Sequence, residues 1–166
     1  MSTMTRRALL SGVGATTAVV LLGGIPGNSS GAAAEVFEVN RTPAEWRRLL
    51  TPQQYAVLRE ESTEWPGSSR LNGEHRAGVF ACAGCNLPLF RSADKFDSGT
   101  GWPSFTRSIP GATRTRADHS LGITRTEVHC RRCGGHLGHV FNDGPRPTGQ
   151  RWCINGVAMT FAAARH

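Results

Sequence analysis

The chain has 166 residues, which favours a single domain, and its 19 basic against 12 acidic residues give a formal net charge of +7. The arginines are spread along the chain and form no basic block, so the charge argues against a nucleic-acid binder. The sequence shows no glycine-rich phosphate loop and no strand–helix–strand pattern, which excludes the common nucleotide-binding classes.

Residues 1–34 predict an export signal. Arginines at positions 6 and 7 precede an apolar stretch that runs to about Ile25, and the alanines at 32–34 offer a small-residue cleavage site. The arginine pair resembles a twin-arginine signal, whose pathway carries folded proteins. An uncleaved membrane anchor is the alternative. We expect a mature domain over 35–166, exported to the periplasm or exterior of a bacterium, with no stable membrane association.

Two helix-start signals follow, each a threonine with proline at the first helical position. Thr42-Pro43-Ala44-Glu45 predicts a helix near 43–50, and Thr51-Pro52-Gln53-Gln54 predicts one near 52–61. Both are interpreted as packing elements. The residues expected on their packing faces are Trp46, Leu49 and Leu50 in the first helix and Tyr55 and Leu58 in the second.

From Ala77 onward, short runs of β-forming residues alternate with glycine, proline, asparagine and aspartate. This pattern predicts a mainly antiparallel β structure for the second half of the chain. The predicted strands are Gly78–Ala81, Leu87–Phe90, Ile123–Cys130, His139–Phe141, Gln150–Ile154 and Val157–Phe161.

Four of the five cysteines form two Cys-x-x-Cys pairs, Cys82 with Cys85 and Cys130 with Cys133. Two such turns can complete a tetrahedral zinc shell, and a closed four-thiolate shell leaves no position for a substrate. The sequence therefore predicts a structural zinc ion that joins the ends of a long insert with its own substructure. Two disulfides are the alternative, because export is expected.

The fifth cysteine, Cys153, lies in Arg151-Trp152-Cys153-Ile154-Asn155. On a strand, Arg151 and Asn155 point to the same face as Cys153. A guanidinium favours the thiolate, and an asparagine amide can donate a hydrogen bond. These neighbours favour a nucleophile, while a buried and inert cysteine is the alternative.

Two further segments carry candidate chemistry. His136 and His139 follow the second cysteine pair. Three roles are open for them: extra zinc ligands, surface residues or acid–base groups. The four cysteines already complete the zinc coordination shell, so we favour acid–base catalysis by these histidines beside Cys153. The loop from Phe96 to Phe105 places Trp102-Pro103 between glycines and serine. It is either a packed turn or one wall of an apolar pocket.

The chain resembles the B-type methionine sulfoxide reductases in four features that occur in the family's order. These are the cysteine pairs, the Gly101–Phe105 loop, the His136–Phe141 segment and the Arg151–Asn155 segment. These enzymes reduce the R epimer of methionine sulfoxide, and the resemblance extends from Arg41 to Phe161. It implies two antiparallel sheets in a barrel-like or β-tent arrangement, short N-terminal helices, structural zinc and no organic cofactor.

The resemblance also implies roles for individual residues. Cys153 would attack the sulfoxide sulfur, release methionine and become a sulfenic acid. His139, with His136 and Asn155, would position and polarise the sulfoxide oxygen, directly or through water. The remaining implied site residues are Asp143 and Arg151, which orient these groups and bias Cys153 toward thiolate, and the substrate-binding aromatics Trp102, Phe105 and Phe141.

One position departs from the family pattern. Many members carry a resolving cysteine in the loop before the tryptophan, whereas this chain has Thr100. The other cysteines are the expected zinc ligands, so we expect an external thiol, from a small molecule or a thioredoxin-like partner, to reduce the Cys153 sulfenic acid. A monomer is expected. The alternatives are a non-catalytic zinc β-tent module that binds a ligand or protein, and a zinc-ribbon nucleic-acid binder.

Overall fold

The computed structural model describes residues 35–120 and 122–165, so the predicted export signal lies outside the described residues. No helix within these two ranges combines the length and the apolar character that crossing a membrane requires. The described chain is mainly β, with two short α-helices before the first strand.

The helices begin where the two start signals predict. Helix α1 spans Pro43–Leu49 and helix α2 spans Pro52–Glu60, each with a threonine N-cap in a capping box. In α1 the Thr42 hydroxyl accepts from the Glu45 N–H at 3.3 Å while the Glu45 carboxylate accepts from the Thr42 N–H. Glu61, in the left-handed region at φ 55°, ends α2.

The packing faces of the helices differ at one position from the prediction. Trp46 and Leu50 are buried, whereas Leu49 is 59% exposed, so the prediction for Leu49 is wrong. Leu50 is the C-cap residue and its backbone is extended (φ −107°, ψ 147°), so the helical spacing that would place Trp46, Leu49 and Leu50 on one face ends before Leu50. In α2, Val57 and Leu58 are buried, and the helix packs against the second sheet.

Two antiparallel sheets make up the rest of the chain, and within the described residues neither closes into a barrel. The small sheet has the order β2-β1-β9, and the large sheet has the order β3-β4-β8-β7-β6-β5. The strands are β1 Gly78–Cys82, β2 Pro88–Arg91, β3 Lys95–Phe96, β4 Ser104–Phe105, β5 Thr113–Asp118, β6 Arg125–Cys130, β7 His136–Phe141, β8 Arg151–Ile154 and β9 Met159–Ala163.

The predicted two-sheet, mainly β fold is confirmed, although β3, β4 and β5 were not predicted from the sequence. Strand β5 lies at the edge of the large sheet and most of its side chains are exposed, so it lacks an apolar face. Strands β3 and β4 have two residues each, too few for a period to show.

The core lies between the sheets and is aromatic at its centre. Phe80 of the small sheet and Phe105 of the large sheet meet edge to face with ring centroids 5.1 Å apart. Phe90 stacks on Phe105 at 4.4 Å. All three side chains are fully buried, so the position of β4 is stabilised by apolar contacts as well as by its two hydrogen-bonded neighbours.

Strand β8 is central to the large sheet, and its register with β7 depends on one glycine. Gly138 pairs with Ile154, and a Cβ built at Gly138 would lie 2.1 Å from the carbonyl oxygen of Cys153. Any other residue would collide with backbone there. The close approach of β7 to β8 therefore requires glycine at position 138.

Candidate active site

The four paired cysteines converge as the sequence predicts. Their sulfurs all lie within 4.8 Å of one another, with Cys82 Sγ 3.7 Å from Cys133 Sγ and Cys85 Sγ 3.5 Å from Cys130 Sγ. A tetrahedral zinc ion with bonds of about 2.3 Å holds its sulfurs about 3.8 Å apart, so the donor set and spacing fit zinc. The sulfurs are not bonded to each other, which contradicts the disulfide alternative.

Two arginines hold the turns that carry this cysteine cluster. Arg59 of α2 donates to the Cys133 carbonyl oxygen at 2.9 Å, and Arg132 donates to the Cys85 carbonyl oxygen at 3.0 Å. The first contact ties the helical segment to the start of β7, and the second ties the two cysteine turns together. The cluster thus joins β1, β6 and β7 with α2 and lies apart from Cys153 in the fold.

Cys153 lies in the middle of the large sheet, between β4 and β7. It pairs with Ser104 on one side and with His139 on the other, so all three side chains share one face of the sheet. A cavity of about 140 Å³ opens over this face. The residues that line the cavity are Thr63, Trp102, Arg125, Gly138, His139, Phe141, Cys153 and Asn155.

The charges near Cys153 only partly favour the thiolate. Burial raises the pKa of the Cys153 thiol, and the lowering contributed by Arg151 and by the nearby Thr100 hydroxyl does not fully offset it. Asp143 adds a small increase to this pKa, opposite to the predicted bias. Arg151 acts in the predicted direction, but burial outweighs it, so the resting site holds a thiol at neutral pH.

Arg151 is fixed in two ways. Its Nε and Nη2 each donate to Asp143 at 2.9 Å, and its guanidinium lies 4.5 Å from the centroid of the Phe141 ring. Phe141 in turn lines the cavity. Asp143 therefore acts by holding Arg151, and its own side chain is 62% exposed at the surface.

His139 has a carboxylate partner that the sequence did not indicate. Its Nε2 lies 2.7 Å from Asp118 Oδ2, and the same oxygen accepts from Arg125 at 2.6 Å. Burial lowers the pKa of His139 despite the Asp118 bond, so the imidazole is neutral at neutral pH. Since Asp118 is ionised, the neutral ring donates from Nε2 and keeps Nδ1 as a free acceptor.

His136 does not reach the cavity. It is buried, and its Nδ1 lies 2.7 Å from the carboxylate of Glu127, which also pairs with Arg116. Its ring contacts His139 with centroids 5.5 Å apart. The structure therefore places His136 behind His139, with Nδ1 bound to Glu127 and Nε2 buried without a partner among the described residues. This position does not support direct contact of His136 with a sulfoxide oxygen, and a role through water stays a prediction.

Asn155 lines the cavity, but main-chain groups occupy both ends of its amide. Its Oδ1 accepts from the Glu64 N–H at 3.0 Å, and its Nδ2 donates to the Leu137 carbonyl oxygen at 3.0 Å. The side chain thus joins the end of β8 to β7 and to the segment after α2. This arrangement favours a structural role for Asn155 in the site over a direct hydrogen bond from Asn155 to substrate.

Glu64 is a second residue that the sequence did not indicate. Its carboxylate accepts from the N–H groups of Gly156 and Val157, and its carbonyl oxygen accepts from the Trp102 indole N–H at 3.2 Å. Burial raises the pKa of this carboxyl group. Glu64 therefore links the ring of Trp102 to the residues that follow Cys153. Its position after a helix gave no signal of such a role.

Phe105 was predicted to bind substrate, and this prediction is wrong. Ser104 shares the face of Cys153, so the next residue along β4 points to the opposite face. Phe105 is accordingly fully buried and stacks on Phe90 in the core. Trp102, two residues before Ser104, does line the cavity.

Comparisons with known proteins agree with this geometry. The SelR domain model matches residues 50–163, and proteins named peptide methionine sulfoxide reductase MsrB are similar to about three quarters of the chain. The chain belongs to the MsrB family. The Leifsonia xyli MsrB is 55% identical over 127 residues, covering 75% of this chain and 91% of the relative.

Two other MsrB relatives match the chain with similar identity and coverage. The protein of Bradyrhizobium diazoefficiens is 54% identical over 123 residues, 74% of this chain and 88% of the relative. That of Agrobacterium fabrum is 50% identical over 125 residues, 75% of this chain and 93% of the relative. The matched domain contains the cysteine cluster, the cavity and every site residue described above.

Replacing Arg151 with methionine tests the electrostatic account of this MsrB site. Arg151→Met removes the cation that favours the thiolate and frees the Asp143 charge, so we expect the pKa of Cys153 to rise. The measurement is the pH dependence of Cys153 alkylation by iodoacetamide, followed by mass spectrometry of its peptide. The matched control is Arg91→Met on the exposed end of β2, and an unchanged profile in Arg151→Met contradicts the account.

Proposed function

We propose that the chain reduces methionine (R)-sulfoxide in peptides and proteins to methionine, with thiols as the source of electrons. The single observation that carries this proposal is the position of Cys153 at the base of a cavity of about 140 Å³, directly opposite a carboxylate-bound imidazole. The cavity suits a small polar group on an apolar stem, because aromatic rings line it beside His139 and Arg125. MsrB relatives that match about three quarters of this chain support a methionine sulfoxide reductase activity.

The first chemical step is a proton transfer from Cys153 to His139. Nε2 of His139 donates to Asp118, so Nδ1 is the acceptor, and Asp118 stabilises the imidazolium that forms. The Cys153 thiolate then attacks the sulfoxide sulfur, and the imidazolium protonates the oxygen. The oxygen passes to Cys153 as a sulfenic acid, the substrate sulfur gains two electrons, and methionine leaves.

The walls of the cavity support discrimination between sulfoxide epimers. Trp102, held by Glu64, offers an aromatic surface for the methyl group, and Phe141 lies beside it under Arg151. His139 is the proton donor for the oxygen, and Cys153 faces the sulfur. The opposite epimer would direct its oxygen at an aromatic ring, where no partner compensates for lost hydration.

An external thiol completes the cycle in this proposal. Thr100 lies near Cys153 but cannot form a disulfide, and the other four cysteines cluster within 4.8 Å of one another. A first thiol would convert the sulfenic acid to a mixed disulfide with loss of water, and a second would release Cys153 and the oxidised thiol. A small-molecule thiol or a thioredoxin-like protein supplies these electrons.

The proposed location of the enzyme is outside the cytoplasm. The twin-arginine-like segment in residues 1–34 supports export of a folded domain that repairs proteins outside the cytoplasm. Oxidant exposure is higher there, and folded export would let the cysteine cluster bind metal before it meets oxidant. Three of the four clustered cysteines are buried and Cys85 is half-buried, which fits a metal ion bound during folding.

Assay of separate epimers tests the proposed function. We expect the full chain with dithiothreitol to reduce the R epimer of a methionine sulfoxide peptide and to leave the S epimer unchanged. Cys153→Ser should abolish turnover, because serine is too weak a nucleophile at this site. Reduction of both epimers, retained turnover in Cys153→Ser, or tight binding without turnover contradicts the proposal, and the last outcome favours the binding-module alternative.

We propose that the metal in the cysteine cluster is zinc and that its role is structural. The full chain should contain one zinc per molecule by elemental analysis, and Cys82→Ser should lose the metal and several kcal/mol of unfolding free energy, because three thiolates leave the shell open. Cys153→Ser is the matched control and should keep the metal and the native unfolding free energy. A stable, metal-free Cys82→Ser variant, or a metal other than zinc in the native protein, contradicts this proposal.

A further inference from the structure

One carboxylate oxygen, Oδ2 of Asp118, binds both the proposed proton acceptor and an arginine. His139 Nε2 lies 2.7 Å from this oxygen, and Arg125 Nη2 donates to it at 2.6 Å, so the imidazole and the guanidinium are neighbours. Arg125 belongs to β6 and Cys153 to β8, and both line the cavity with β7 and His139 between them. A fixed positive charge therefore lies beside the ring that receives the Cys153 proton.

The charge of Arg125 is directed at Asp118. The two residues are cross-strand partners in the β5–β6 pair, and the only other contact of the guanidinium within the described residues is Ser120 Oγ at 3.4 Å. Nε of Arg125 is buried and has no acceptor in the ranges 35–120 and 122–165. The Arg125 side chain is only 21% exposed, so solvent screens this ion pair less than a surface pair.

Asp118 does not need Arg125 to remain ionised. The Ser120 N–H donates to Oδ1 of Asp118 at 2.9 Å. Hydrogen bonds from Ser120 lower the pKa of Asp118 most, the bond to His139 follows, and Arg125 contributes less. Removal of the arginine would therefore leave a carboxylate bound to the imidazole. The main effect of the guanidinium falls on the ring of His139.

A carboxylate alone would favour the wrong protonation state of this ring. An opposite charge within a few ångströms stabilises an imidazolium, and an imidazolium has no free acceptor for the Cys153 proton. Burial lowers the pKa of His139 most, and the charge of Arg125 lowers it further, whereas Asp118 raises it. The arginine thus opposes the carboxylate that it binds.

We propose that Arg125 is a positioning residue for the proton transfer from Cys153 to His139. By sharing Oδ2, it lets Asp118 orient the ring through Nε2–H while the ring stays neutral at rest and keeps Nδ1 free. When the proton arrives, the same bond to Asp118 stabilises the imidazolium. The inference rests on the proposed function for the use of this proton, whereas the protonation state of His139 is a property of the resting protein.

The ionisable groups that face His139 from the neighbouring strands have other partners or are uncharged. Glu127 lies opposite His139 on β6, binds His136 Nδ1 at 2.7 Å and pairs with Arg116. The ring of His136 contacts that of His139 with centroids 5.5 Å apart. Cys153 faces His139 from β8, and burial keeps it a thiol at rest.

Two further charged groups belong to elements that pack against β7. Arg59 of α2 is directed to the Cys133 carbonyl oxygen at 2.9 Å, in the cysteine cluster. Arg151 of β8 donates twice to Asp143, each time at 2.9 Å. The pair of Asp118 with Arg125 is therefore the ion pair that is bonded to the ring of His139.

NMR titration of the histidine ring protons in the full chain tests this role, with the His139 resonance assigned by its loss in His139→Gln. Arg125→Met should raise the pKa of His139, because the opposing cation is lost while Asp118 remains. Asp118→Asn should lower this pKa, and Arg125→Lys should keep it near the native value because lysine keeps the positive charge. Arg76→Met, which removes an exposed guanidinium bonded to Glu74, is the matched control.

Opposite shifts in Arg125→Met and Asp118→Asn are the expected result, since general loosening would hydrate the ring and raise the pKa of His139 in both variants. An unchanged or lowered pKa in Arg125→Met, or a raised one in Asp118→Asn, overturns the proposal. A shift in Arg125→Lys as large as that in Arg125→Met also overturns it. If Asp118→Asn does not fold, the comparison of Arg125→Met with Arg125→Lys decides alone.

The pH profile of kcat/KM for the R-sulfoxide peptide connects the titration to the reaction. The acid limb reports loss of the neutral His139 ring, so Arg125→Met should move this limb to higher pH together with the pKa of His139. A raised pKa of His139 without movement of the limb contradicts the positioning role. A native chain with the expected titrations and no reductase activity contradicts the proposed function instead, so the two failures can be told apart.

Discussion

The site depends on the register of three strands, β4, β8 and β7, which places Ser104, Cys153 and His139 side by side on one face. This register exists because Gly138 lets β7 approach the Cys153 carbonyl, where a Cβ would lie at 2.1 Å. A slip by one residue would turn Cys153 into the core and bring Trp152 to the cavity. The proposed nucleophile and the proposed proton acceptor therefore both follow from one backbone arrangement.

Distant segments hold this arrangement in place. Glu64 connects the Trp102 ring to the residues after Cys153, Asp118 fixes the imidazole of His139, and the cysteine cluster ties β1, β6 and β7 together. Burial favours the thiol of Cys153, and the groups around it offset that preference only in part. The site therefore suits a cysteine that stays protonated at rest and ionises when a proton acceptor and a substrate are both present.

Features encoded by adjacent residues were predictable from the sequence, because their geometry is local. The capping boxes, both cysteine turns, and the tryptophan loop all lie where their short motifs indicate. Partners from separate strands were not predictable: Asp118 and Glu64 lie 21 and 38 residues from the side chains they hold. Phe105 was assigned to the wrong face because a two-residue strand shows no alternation from which to read its direction.

In the proposed reaction, Cys153 alone takes the sulfoxide oxygen and an outside thiol removes it. The most direct measurement mixes the full chain with one equivalent of the R-sulfoxide peptide in the absence of any thiol. We expect about one equivalent of methionine per chain and a Cys153 sulfenic acid that dimedone traps, as seen by mass spectrometry. Methionine formed together with an intramolecular disulfide to Cys153, or the absence of any methionine, would contradict the account.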